Sequence, residues 1–275
     1  MKSPILAYPD LHTHSTCSFD GHDSILAMVG QAAALGLPGI AVTEHIEWDM
    51  RSKAHGWFDY DAILGQVQRA RLAYPALKVW MSVEVGWDPR YEAEIRGFLA
   101  AHRFDFVLGA LHAVEGRDVG PELFSGISLE EAGRRYLAAA TRAVKTGLFD
   151  VLAHADLPKR YGIAHYGKAW DAEACEREGE ALAQALVESG TMLELNTSGL
   201  RQAPKECLPG PFLLGLYRRA GGRRVTLASD AHSLGHVGHG FVEAAAGAQR
   251  LGLAVLSDSA AWLSSPGRAS KRRKP

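Results

Sequence analysis

The chain has 275 residues, 47% hydrophobic and 22% charged, with a formal net charge of -1. That length suits one α/β barrel or two average domains, and the composition is that of an ordinary globular protein. A charge this close to zero gives no general reason to expect nucleic acid or an anionic membrane as a partner. In chain order, short β-branched runs predict strands over 7–12, 39–43, 78–85, 104–110, 151–154, 192–196 and 224–229. Helical spacing predicts helices over 24–35, 61–74, 91–102, 128–146, 172–189, 211–220 and 241–250. Gly36, Gly147, Gly190 and Gly221 stop four of them, and Ser128-x-x-Glu131 predicts a capping box at the head of the fourth helix. Strand–helix alternation repeated seven times favours a closed or nearly closed parallel α/β barrel over an open sheet.

In such a barrel the chemistry sits at the C-terminal ends of the strands. The first candidate strand runs into His12-x-His14, and side chains two apart on a strand share a face. Asp20 follows in the loop. The second strand ends in Glu44 and His45, the third carries Glu84, the fourth ends at His112, and the fifth at His154 and Asp156. The sixth ends in Glu194 and Asn196, and the seventh in Asp230-x-His232. One histidine at a strand end is ordinarily a hydrogen-bonded residue; ligands at six strand ends of seven predict coordinated metal. His12, His14, Asp20, His45, Glu84, His112, His154, Asp230 and His232 are too many for one tetrahedral ion. They suit two or three divalent ions (Zn, Mn or Fe), with Glu84 as the bridge. His22 is an alternative to Asp20, and Glu44 is expected to point away, toward a supporting partner.

As an ordered set, HTH at 12–14, TEH at 43–45, the isolated Glu84, LH at 111–112, AHAD at 153–156 and SDAH at 229–232 resemble the polymerase-and-histidinol-phosphatase (PHP) metallohydrolases. Two further stretches, HADLPKRYG at 154–162 and LNTSGLR at 195–201, are similar to the histidinol-phosphate phosphatase branch of that family. The resemblance implies a distorted seven-stranded (β/α)7 barrel, TIM-barrel-like, around a trinuclear site. It places His12, His14, Glu84 and Asp230 on one ion, Glu84, His112 and His154 on a second, and Asp20, His45 and His232 on a third. One departure is visible: that branch often has a histidine where this chain has Asp20.

The implied reaction is hydrolysis of a phosphate monoester by a metal-bridging hydroxide, with L-histidinol phosphate of histidine biosynthesis as the substrate. Glu84, Asp230 and Asp156 are the catalytic candidates, Asp156 or a metal-bound water supplying the leaving-group proton. Arg160 and Arg201 are read as the phosphate clamp, because a guanidinium fork matches phosphate oxygens, with Lys159 as a substitute for Arg160. Asn196 and Ser198 are read as hydrogen-bonding to substrate, and Glu194 or Asp156 as meeting its cationic amine. Alternatives are a PHP-type phosphoesterase acting on a nucleotide or oligonucleotide end, and an amidohydrolase-type enzyme. The latter usually needs a strand-four lysine, absent at 104–112. A metal-bound, non-catalytic scaffold is the third reading. Residues 1–263 are expected to form one unit and 264–275 a basic, disordered tail. Three widely spaced cysteines without a CxxC pair, no signal peptide and no transmembrane-length run predict a cytoplasmic protein.

Overall fold

Twelve short strands and ten α-helices follow one another in the computed structural model, which describes residues 8–257 and Trp262. The strands are β1 (Asp10–Thr13), β2 (Gly39–Val42), β3 (His45–Ile46), β4 (Lys78–Met81), β5 (Val83–Gly86), β6 (Val107–Ala110), β7 (Ala113–Val114), β8 (Arg117–Asp118), β9 (Val151–Leu152), β10 (Met192–Asn196), β11 (Arg224–Ala228) and β12 (Ala254–Val255). The helices are α1 (Ile25–Ala34), α2 (Tyr60–Ala73), α3 (Glu92–Ala101), α4 (Pro121–Phe124), α5 (Leu129–Lys145), α6 (Pro158–Tyr166), α7 (Glu176–Ser189), α8 (Ser198–Arg201), α9 (Pro211–Arg219) and α10 (Phe241–Arg250).

Apart from the β7–β8 hairpin, every strand pair is parallel: one sheet runs β1-β2-β4, the other β12-β11-β10-β9-β6-β5-β3. The chain is therefore an α/β protein with mostly parallel sheet. A single closed seven-stranded sheet is not formed among the described residues. The run 78–85, expected as one strand, changes partners at Ser82, so that β4 pairs with β2 while β5 pairs with β3 and β6. At the other seam, Asp230 N–H donates to His12 O at 2.9 Å and His14 N–H to Ala231 O at 2.8 Å, joining the ends of β1 and β11.

Helix ends follow local chemistry. Ser24, Asp59 and Ser128 each accept a backbone N–H as N-caps of α1, α2 and α5. Only half of the expected capping box forms. Ser128 Oγ accepts from Glu131 N–H, but the Glu131 carboxylate turns to Arg134 and Arg135 instead of reaching back. Helices α4, α6 and α8 fall in stretches where periodicity gave no helix. For α6 the signals were Pro158 at its first turn and Gly167, at φ 67°, just past its end.

Two apolar clusters hold the layers. The larger packs the helices onto the strands. The smaller gathers Leu11, Ala41 and Trp80 from the three-stranded sheet with Leu108, Val151 and Met192 from the larger one, and includes Trp262. No helix among the described residues is long and apolar enough to cross a membrane, and Cys17, Cys175 and Cys207 are free thiols. The basic run at 268–274 lies outside the described residues.

Candidate metal centre

Alternation along β1 buries His12 and points it at the same space as His14, just past the strand end. Into that space β5 delivers Glu84, 1% exposed, whose carboxylate is the hub. Its Oε1 lies 2.8 Å from His154 Nε2 and 3.4 Å from His112 Nε2. Its Oε2 lies 2.7 Å from His45 Nδ1, 3.3 Å from His12 Nε2 and 3.4 Å from His14 Nε2. Five imidazoles thus surround one carboxylate. Asp230 Oδ1 adds contacts of 3.8, 3.5 and 3.6 Å to His12, His14 and His232. Asp20 reaches His45 at 3.5 Å and His232 at 3.3 Å. His154 and Asp230 occupy the left-handed region, at φ 25° and 51°. Such backbone costs about 1–3 kcal/mol and persists where surrounding structure enforces it, commonly at functional sites.

All nine expected ligands therefore meet in one place. Three groups, His14/His45/His232, His12/His14/Glu84 and His45/Glu84/His112, each keep their ligand atoms within 4.8 Å of one another. The donor set fits divalent cations. Glu84 Oε2 and His45 Nδ1 sit 2.7 Å apart yet both lack a hydrogen-bond partner. Lone pairs converging without hydrogen-bond geometry are what a cation with ligand bonds of about 2.0–2.2 Å requires. Burial alone would raise the Glu84 carboxyl, but His12, His45 and His112 hold it well below the ordinary carboxylate range. Burial lowers His14 far below the usual imidazole value, helped by His45 and His232.

A second layer orients these donors. His12 Nδ1 faces Glu194 Oε1 at 2.7 Å, and the other Glu194 oxygen accepts from His154 N–H and Asn196 Nδ2. Glu194, expected at the substrate's amine, has one oxygen on His12 and the other on His154 N–H and Asn196. Asn196 is likewise engaged: its Nδ2 donates to Glu194 and Asp230, and its Oδ1 accepts from Ser198 N–H. Glu44 points away from the centre as expected, accepting from Ser15 and Ser18. Ser18 in turn lies 3.4 Å from His14 Nδ1. His22 is exposed, and Cys17 accepts from Gln66 outside the cluster. Sequence reasoning missed Glu47, whose Oε1 lies 2.6 Å from His112 Nδ1. The signal was present: Glu47 stands two residues after His45, the spacing that made His12 and His14 a pair.

Beside the centre, Arg201 Nη2 donates to the carbonyls of Ser229 and Asp230, while buried Nη1 has no partner. Burial lowers the Arg201 pKa, and the nearby charge of Arg160 lowers it further. Arg160 lies 5.4 Å over the Tyr161 ring. Lys159, expected on phosphate, is 5% exposed and paired instead with Asp156 at 2.8 Å and Glu206 at 2.7 Å. Asp156 Oδ2 also accepts from Gly210 N–H, its Oδ1 is buried without a partner, and burial raises its pKa against the pull of Lys159. Ser198 Oγ is also buried and unpartnered.

Parallel strands whose ends converge on a carboxylate ringed by imidazoles define a metal-binding α/β protein. Residues 10–198 match the PHP domain, and the chain belongs to that family. A Thermotoga maritima relative named "Probable histidinol-phosphatase" is 29% identical over 236 residues, 85% of this chain and 88% of that protein. The histidinol-phosphatase of Lactococcus lactis subsp. lactis is 28% identical over 227 residues, 81% of this chain and 83% of its own. A solved Lactococcus lactis histidinol phosphate phosphatase, in complex with zinc, L-histidinol and phosphate, has a TM-score of 0.83 at 25% identity. That match covers 91% of this chain and 95% of the other.

Proposed function

We propose that the chain is a metal-dependent phosphate monoester hydrolase that converts L-histidinol phosphate and water to L-histidinol and phosphate. The observation that carries this reading is the Glu84 carboxylate set among His12, His14, His45, His112 and His154, with Arg201 Nη1 unpartnered beside it. The names of the relatives support the substrate. In the assignment that the family resemblance implies, His12, His14, Glu84 and Asp230 would hold one ion, Glu84, His112 and His154 a second, and Asp20, His45 and His232 a third, each Zn, Mn or Fe. Divalent ions supply Lewis acidity, making water acidic enough to ionise near neutral pH and offsetting the phosphoryl charge.

The chain's own groups do the rest. Arg201 offers its free Nη1 to a phosphoryl oxygen while Nη2 stays anchored on two carbonyls, and Arg160 brings a second guanidinium. Asp156 Oδ1, buried and without a partner, is the group placed to pass a proton to the leaving alkoxide. Ser198 Oγ remains free to accept a substrate hydrogen bond. The two sheets are halves of a distorted seven-stranded barrel, a view supported by the β1–β11 seam and by the apolar cluster that both sheets share. Three free thiols suit the cytoplasm. The test is a panel of phosphate monoesters assayed with Zn, Mn and Fe. Histidinol phosphate should be turned over in strong preference; preference for a nucleotide or an oligonucleotide end would replace the substrate.

A further inference from the structure

We infer that Glu47 is a positioning residue for the metal centre, fixing the tautomer and aim of His112. The inference rests on the centre holding metal as proposed above. A neutral imidazole has one N–H and one lone-pair nitrogen, and only the lone pair can ligate. His112 Nδ1 lies 2.6 Å from Glu47 Oε1, so the carboxylate holds the N–H on that side. Nε2 then carries the lone pair, and it faces Glu84 Oε1 at 3.4 Å. The fold is shaped to keep Glu47 there. A Cβ at Gly86 on β5 would fall 1.9 Å from Glu47 Oε1, so only glycine leaves room for the carboxylate beside the strand that bears Glu84. The segment following Glu47 is pinned as well: Asp49 binds Arg51 and Arg90, Arg90 also binds Asp88, and Arg51 donates to Gly116 O. These contacts join the loops after β3 and β5, the strands that bring His45 and Glu84, to the β7–β8 turn that follows His112. His12 and Glu194 repeat the same arrangement at 2.7 Å across the centre. Supporting carboxylates of this kind typically change metal affinity 10–100-fold when removed.

The experiment measures metal content and the rate of metal loss to EDTA from the purified metal-loaded protein. Glu47→Ala should speed the loss of one ion about 10–100-fold. Glu47→Gln, whose amide oxygen still accepts from Nδ1, should restore most of the retention. Gly86→Ala, which touches no ligand but displaces the carboxylate, should behave like Glu47→Ala. In a His112→Ala background, Glu47→Ala should leave release of the remaining ions unchanged. Wild-type release rates in Glu47→Ala, no rescue by Glu47→Gln, faster release of the remaining ions on the His112→Ala background, or a Glu47→Ala chain without the wild-type circular dichroism spectrum would each overturn the inference. A wild-type protein that holds metal but ignores histidinol phosphate would refute the substrate alone, leaving the release assay readable.

Discussion

Glu84 contacts five imidazoles through two oxygens, so at the scale of single residues it is the side chain whose charge the centre can least spare. Glu84→Gln keeps the shape and removes the charge, and should cost most of the bound metal and at least about 100-fold in kcat/KM, since losing a charge-assisted contact costs about 1.5–3 kcal/mol each time. Metal analysis showing full occupancy in that variant would remove Glu84 from the hub. Arg201→Ala should behave differently. It deletes a buried, unpartnered Nη1 while touching no ligand side chain, so KM for the phosphate substrate should rise about 10–100-fold with metal content unchanged. Equal loss of both would make Arg201 a brace for the Ser229 and Asp230 carbonyls. At this scale the sequence was most readable for the nine residues that meet at the centre, because a histidine or carboxylate at six strand ends of seven is a pattern that isolated hydrogen-bonded side chains do not produce. It was least readable for the second layer. Nothing in LELN tells whether Glu194 faces a substrate or His12, because that depends on a strand 182 residues away.

Among elements, β1 and β11 matter most to each other. Asp10, fully buried on β1, accepts from Ser229 N–H, Ser229 Oγ and Gly238 N–H, just beyond β11. Those bonds sit beside the seam between His12 and Asp230. Asp10→Ala would leave three buried donors without an acceptor, at about 1–3 kcal/mol for each that water cannot reach. The urea midpoint should fall by an amount equivalent to about 3 kcal/mol, and a change under about 0.5 kcal/mol would show the seam to be held elsewhere. Most helices lie within a residue or two of where periodicity and stop signals put them, because those signals are local: Gly36 at φ 71° after α1, Gly190 at φ 67° after α7. The break at Ser82 was invisible for the opposite reason. KVWMSVEV reads as one apolar run, and its change of partner from β2 to β3 is decided by strands that the run does not contain.

For the molecule as a whole, the proposed ligands run from His12 to His232, so bound ions would tie together nearly the full described chain. Metal binding to the folded form alone adds about 4 kcal/mol per site when free metal exceeds Kd a thousandfold. Two such sites should raise the calorimetric midpoint on the order of 15 °C over the EDTA-treated protein. The pH dependence should reverse between the two forms. In the stripped protein, burial pushes His45 down, but Glu84 and Asp20 outweigh it and raise its pKa to about 9. His12 and His112 are raised well above the ordinary imidazole value by their carboxylate neighbours, also against burial. Groups whose folded pKa lies above the unfolded one stabilise fully below about 6.5, and that stability is lost as pH rises through the folded value. The stripped protein should therefore melt higher at pH 6.5 than at pH 9. The loaded protein should do the reverse, because protons compete with metal for the same nitrogens. Parallel pH profiles for the two forms would mean that the cations bind somewhere other than this ring of imidazoles.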